Sequence, residues 1–193
     1  MREYDLIAQW YAAERGGQAG VKEALELVRS LPAGARVLDL GCGNGIPITS
    51  VVATAGCSAI GVDSSREMLA RFVVNCAGIP ALRALAQGLP LRGDSFEAVV
   101  AWGMLFHLPQ ADQRRVVAEV SRVLCSGGAF LFTSGDVDDD SGTHVTPMNG
   151  VDFHYYSYSI EGYRRILDAR GIDLLNVTVD EGRNTYYSAR KRS

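Results

Sequence analysis

Apolar positions along the chain switch repeatedly between a helical period and short unbroken runs. From Val21 to Leu31 the residues Val21, Ala24, Leu25, Val28 and Leu31 follow helical spacing, and Pro32 with Gly34 then ends the helix. Arg36-Val37-Leu38-Asp39-Leu40 is a short apolar run feeding glycines, which predicts a buried strand. Ile46–Ala55 predicts the next helix and Ala59–Asp63 the next strand. Ser64-Ser65-Arg66-Glu67 matches a capping box, and Met68, Leu69, Phe72, Val73 and Cys76 then share one helical face. Ala81–Leu85 and Glu97–Trp102 predict two further strands, the second buried on both faces. Val116, Val117, Val120, Val123 and Leu124 form a helix up to Gly127-Gly128, and Ala129–Thr133 a fifth strand.

Such strand–helix alternation implies parallel strands joined by right-handed crossovers, with helices on both faces. The C-terminal part departs from it. A helix through Tyr163, Ile166 and Leu167 ends at Gly171, and Ile172–Val179 and Thr185–Ala189 are strands separated by a short polar turn around Gly182. That link forces antiparallel pairing. The expected fold is α/β: a Rossmann-like, doubly wound, seven-stranded sheet, mostly parallel, with an antiparallel C-terminal strand.

Asp39-Leu40-Gly41-Cys42-Gly43-Asn44-Gly45 joins the first strand to a helix, and its glycines let the backbone turn tightly and approach a ligand. The spacing is G-x-G-x-G, with Ile46 where a dinucleotide binder has its third glycine, which disfavours a nicotinamide-dependent oxidoreductase. Asp63 ends the second strand 22 positions after Gly41, where a carboxylate can accept from both hydroxyls of a ribose. Together these point to an adenosine ligand.

Val37–Gly45, Gly61-Val62-Asp63-Ser64-Ser65 with Met68, and Leu89-Pro90 leading to Ser95-Phe96-Glu97-Ala98-Val99-Val100 resemble the class I S-adenosylmethionine-dependent methyltransferases, specifically their small-molecule branch. The resemblance runs from about Tyr4 to the C-terminal hairpin. It implies S-adenosyl-L-methionine as cofactor, with Gly41, Gly43 and Gly45 beside its methionine part, Asp39 near its amino group, Asp63 and Ser64 at the ribose, and Met68 against adenine. Tyr11 matches the tyrosine of an N-terminal Y-D-x-x-A-x-x-Y helix, and Trp102 lies where the fourth strand delivers backbone to the cofactor's amino end. Where this branch has an aspartate for the adenine amine, the chain has Leu85, so adenine recognition falls to the backbone at Ala86 or to Gln87. The implied activity is methyl transfer to the O, N or C atom of an unidentified small molecule. The alternative is a non-catalytic S-adenosylmethionine-binding regulatory or partner-dependent subunit.

Methyl transfer from a sulfonium needs alignment and exclusion of water, and a base only where the acceptor must lose a proton. His107, just past the fourth strand, is the candidate catalytic base. Residues 135–158 are long for a connection, acidic in their first half and aromatic in their second, which predicts an acceptor lid with His154, Tyr155 and Tyr156 as substrate contacts. Asp136-Val137-Asp138-Asp139-Asp140 lacks the glycine and terminal glutamate of a calcium loop, so no metal is expected there. Cys42, Cys57, Cys76 and Cys125 form no C-x-x-C pair and read as reduced thiols.

The chain has 193 residues, 47% of them hydrophobic, which fits a single domain over 1–193 with N-terminal helices (1–32) covering the cofactor. A net charge of -3 predicts no nucleic-acid partner and no anionic membrane surface. The charged N-terminus and the absence of a long apolar run predict a cytoplasmic protein. Oligomeric state is not set by any of these features.

Overall fold

The computed structural model describes residues 2–14, 17–135, 137–138, 140 and 142–193, with the side chain of residue 2 left out. Helices α1 (Arg2–Glu14) and α2 (Val21–Arg29) precede β1 (Arg36–Leu40), α3 (Ile48–Thr54), β2 (Ser58–Asp63), α4 (Arg66–Asn75), β3 (Ala81–Arg83) and β4 (Phe96–Ala101). A 3-10 turn (Leu105–His107), α5 (Gln110–Val123), β5 (Leu124–Thr133), β6 (Thr143–Met148), β7 (Val151–Tyr156), α6 (Ile160–Asp168), β8 (Ile172–Val179) and β9 (Thr185–Lys191) follow.

Seven strands form one sheet in the order β3-β2-β1-β4-β5-β9-β8. The pairs from β3 to β5 are parallel, and β9 runs antiparallel to both β5 and β8. This is the expected Rossmann-like arrangement. Alternation along the strands sends side chains to opposite faces. Val37, Ala98, Val100 and Leu131 meet Ala24 and Val28 of α2 and Ile48 and Val52 of α3. Leu38, Leu40, Val99, Phe130 and Phe132 meet Val116, Val117 and Val120 of α5 and Tyr163 and Leu167 of α6. Both faces are therefore covered, and the carboxyl ends of the parallel strands share one edge.

Several local expectations are corrected. Helix α3 starts at Ile48 because Pro47 occupies its N-cap. Ser65, not Ser64, caps α4: its hydroxyl accepts from the Met68 amide at 3.1 Å and donates to Asp5 of α1 at 2.5 Å. Strand β5 begins at Leu124, ahead of the two glycines, because Leu124 pairs with Phe96 while Ala129 pairs with Ala98, and an irregularity absorbs the residues between. The segment expected as a long irregular lid contains the β6–β7 hairpin, with all six residues of each strand paired. Its turn is Asn149-Gly150, both at positive φ (48° and 76°), the geometry that two-residue hairpin turns require. Of the acidic stretch, Asp140 accepts from the Ser159 amide and hydroxyl at the start of α6 and pairs with Arg165 at 2.5 Å, while Asp136 and Asp139 lie outside the described residues.

Candidate functional site

Strand β1 ends in a turn whose glycines do different work. Gly41, Gly43 and Gly45 all have positive φ, which β-carbon-bearing residues adopt only at a cost. A Cβ at Gly41 would lie 2.5 Å from the Met104 side chain, and one at Gly45 would lie 2.5 Å from the Cys76 sulfur. A Cβ at Gly43 would meet nothing within 4 Å, so this peptide borders open space. Gly45 thus serves packing of the turn onto α4, and Gly43 keeps the floor of a cleft bare.

That cleft, about 200 Å³, lies at the carboxyl ends of the parallel strands. Gly41 and Gly43 form its floor, Asp63, Ser64 and Met68 continue it past β2, and Leu85, Ala86 and Gln87 close it beyond β3. Trp102, Gly103 and Met104 stand at the β4 side, and Tyr4 and Tyr11 of α1 cover it. Of the cofactor contacts expected from sequence, Tyr11, Gly41, Gly43, Asp63, Ser64, Met68, Ala86, Gln87 and Trp102 come together here. Gly45 and Asp39 do not reach its surface.

Asp63 is held by two backbone donors. One carboxylate oxygen accepts from the Gly43 amide at 2.9 Å and the other from the Ser65 amide at 2.8 Å. Burial raises its pKa, and the two backbone donors work against that rise. Each oxygen keeps acceptor capacity for a further donor, as a pair of ribose hydroxyls needs. Asp39 is 3% exposed and accepts the Thr49 hydroxyl at 2.5 Å. Desolvation pushes its pKa up to about 7. The same burial pushes the Cys42 thiol up, leaving it inert in the turn.

His107 is 6% exposed and does not line the cleft. Its Nδ1 faces the His154 carbonyl at 3.3 Å and its Nε2 the Tyr4 hydroxyl at 3.0 Å. A carbonyl only accepts, so Nδ1 carries the proton and Nε2 accepts from the phenol. Burial lowers its pKa to about 4, so the imidazole is neutral at pH 7. His107 therefore meets the cleft through Tyr4, a residue that sequence reading left unassigned although Tyr4 and Tyr11, seven apart, lie on one helical face.

His154 is exposed, and Tyr155 and Tyr156 are partly buried; none of the three lines the cleft. Tyr155 lies between Phe106 and His144, stacked at centroid distances of 5.6 and 4.7 Å. The hairpin touches the site through Phe153, whose ring meets Tyr4 edge-on at 5.0 Å. Leu85, 63% exposed, lines the cleft at the position where the resemblance has its aspartate, and Met104 and Leu108 also line it although the sequence reading did not assign them.

The glycine floor, the doubly hydrogen-bonded carboxylate and the position at the strand ends are the features from which the motifs implied an adenosine ligand. Residues 37–128 match the family described as a methyltransferase domain. That match covers 92 of the 193 residues and, with the sheet order, agrees with the resemblance to the class I S-adenosylmethionine-dependent methyltransferases. S-adenosyl-L-methionine is accordingly its cofactor. The chain is 31% identical over 173 residues to methyltransferase GfsG of Streptomyces halstedii, with 83% of this chain and 62% of that protein covered. It is 27% identical to the tRNA U34 carboxymethyltransferase of Stutzerimonas stutzeri, with 80% and 52% covered. In fold it superimposes on S-adenosylmethionine-bound CalS10 of Micromonospora echinaspora, an amino pentose methyltransferase, with a TM-score of 0.77 at 21% identity, covering 94% of this chain and 96% of that one. The chain thus spans between half and two thirds of the length of these two curated relatives.

The exclusion of nucleic acid drawn from net charge is overturned by the relative that acts on tRNA. Net charge is a sum over the chain and does not report how charge is distributed: Arg114-Arg115, Arg164-Arg165 and Arg190-Lys191-Arg192 are basic groups within an acidic total. No helix among the described residues is long and apolar enough to cross a membrane.

Proposed function

We propose that the chain is an enzyme that transfers the methyl group of S-adenosyl-L-methionine to a small organic acceptor bound in the cleft above Gly41 and Gly43. The observation that carries this reading is the continuity of one cleft from the Asp63 anchor to a narrow wall of Tyr4, Tyr11, Trp102, Met104 and Leu108, with room for a compact, partly apolar group. The cofactor, when bound, would supply a methyl group activated by its positively charged sulfur, with S-adenosyl-L-homocysteine as the by-product.

The protein's part is alignment. Asp63, with Ser64, would hold the ribose; the Gly41 and Gly43 backbone would take the methionine part; Met68, Ala86 and Gln87 would flank the base; and Asp39, which accepts from Thr49 of α3, would support the end of β1 from behind. Trp102 and Tyr11 exclude water. His107, neutral and accepting from Tyr4, fixes the phenol that faces the acceptor, and an acceptor proton would reach Nε2 only by way of that hydroxyl. The hairpin within residues 135–158 forms the outer wall, with Phe153 bracing Tyr4 and with Tyr155, His154 and Tyr156 further out.

A second reading, favoured by the tRNA-directed relative, places a nucleotide of an RNA in the same cleft. Incubation of the protein with cofactor labelled in the methyl group and either a metabolite extract or total tRNA separates the two. Label in a small molecule supports the first reading; label confined to RNA replaces it with the second; label in neither favours a non-catalytic binding subunit.

A further inference from the structure

Strand β3 pairs with β2 so that Arg83 lies beside Asp63, and Ala84–Gln87 run on past the carboxylate, on the side away from the glycine turn. With the ribose at Asp63 and the methionine arm over the β1 turn, the purine of the cofactor falls against this segment. The cleft there is made by Ala84, Leu85, Ala86, Met68 and Val62, with Gln87 the one polar residue among those of 84–87 that line it. Among the described residues that line the cleft, Asp63 is the sole carboxylate. Its two oxygens are each engaged by a backbone amide, of Gly43 and of Ser65. Leu85, 63% exposed, presents an apolar side chain where a purine edge would lie, and its carbonyl is taken by the Gly88 amide at 3.2 Å.

An exocyclic amine is a donor and gains selectivity from a fixed acceptor, most from a charged one. Leucine offers none. Gln87 carries an amide that can present either its oxygen or its nitrogen, so it pairs with a purine edge bearing or lacking the amine. We infer that this site recognises the purine by shape and apolar contact and does not require its 6-amino group, so that cofactor analogues altered at that position bind nearly as well as the adenosyl form. The inference rests on the cofactor assignment and concerns Leu85 as the residue that sets base selectivity.

Calorimetric titration of the full chain with S-adenosyl-L-homocysteine and with its purine-ribosyl analogue, which lacks only the amine, tests it. The expected ratio of dissociation constants is below about fivefold, against the tenfold or more that a charged hydrogen bond contributes. Leu85→Asp, at an exposed position that tolerates a charge, is expected to keep its Tm and to prefer the amine-bearing ligand by about tenfold or more. A preference above about fivefold in the parent protein, or no gain of preference in Leu85→Asp, overturns the inference. If S-adenosyl-L-homocysteine itself does not bind, the cofactor assignment fails and takes the inference with it, a result distinct from selective binding.

Discussion

His107 shows how one buried side chain can be read from its surroundings. Its pKa is pushed down from 6.5 to about 4 by burial, with the His154 carbonyl acting in the opposite sense. Between those values the unfolded chain binds a proton that the folded protein refuses, so this group's contribution to stability is complete above pH 6.5 and is lost as pH falls toward 4. Asp39 works the other way: its pKa is raised to about 7, so the folded protein takes up a proton before the unfolded chain does and the penalty of burying it fades as pH falls. Comparing Tm from pH 7 to pH 4.5 in the parent and in His107→Gln isolates the first effect. The variant is expected to lose less stability across that range; parallel profiles would mean that His107 is not held neutral. Positions such as Asp63, Gly41 and Gly43 were legible because their meaning lies in a few neighbouring residues. The Tyr4–His107 bond spans 103 positions, and only folding brings α1 over the end of β4.

At the level of elements, α4 depends on a cap shared with α1. Ser65 closes the first turn of α4, and Asp5 accepts from both the Ser65 hydroxyl and the Glu67 amide. Ser65→Ala should cost about 1 kcal/mol of unfolding free energy by denaturant titration. It should also weaken cofactor binding, because α1 carries Tyr4 and Tyr11. An unchanged midpoint would show that the amides find other acceptors. The alternating strands and helices were readable because burial on one or both faces writes a period into the sequence. The β6–β7 hairpin was not: β6 is exposed along almost its whole length, so no apolar period marks it. The usable signal was Asn149-Gly150, whose paired positive φ values suit a tight hairpin. On the proposal that the hairpin forms the outer wall of the acceptor site, Tyr155→Ala should raise the acceptor's KM while Tm and cofactor affinity stay near the parent values. A fall in Tm with unchanged KM would assign Tyr155 to packing between Phe106 and His144.

For the whole molecule, the parallel strands bring their carboxyl ends to one edge, the antiparallel β9 joins β5 to the edge strand β8, and Tyr4 and Tyr11 of α1 line the cleft. Binding in the cleft should therefore stabilise the entire fold, because residues from α1 through the end of β4 line it together. Tm should rise steadily with added S-adenosyl-L-methionine in proportion to the logarithm of its concentration above the dissociation constant. No single strand or helix accounts for the cleft, and the sequence could show its floor and anchor but not its cover, because the cover comes from elements far apart in the chain. Anchoring of S-adenosyl-L-methionine by Asp63 in this cleft is tested by isothermal titration calorimetry of the parent protein and of Asp63→Ala with that ligand. One site per chain in the parent and at least tenfold weaker binding in the variant are expected, since a charged acceptor contributes about 1.5–3 kcal/mol per hydrogen bond. Equal affinity in the two proteins, or no binding in the parent, would contradict it.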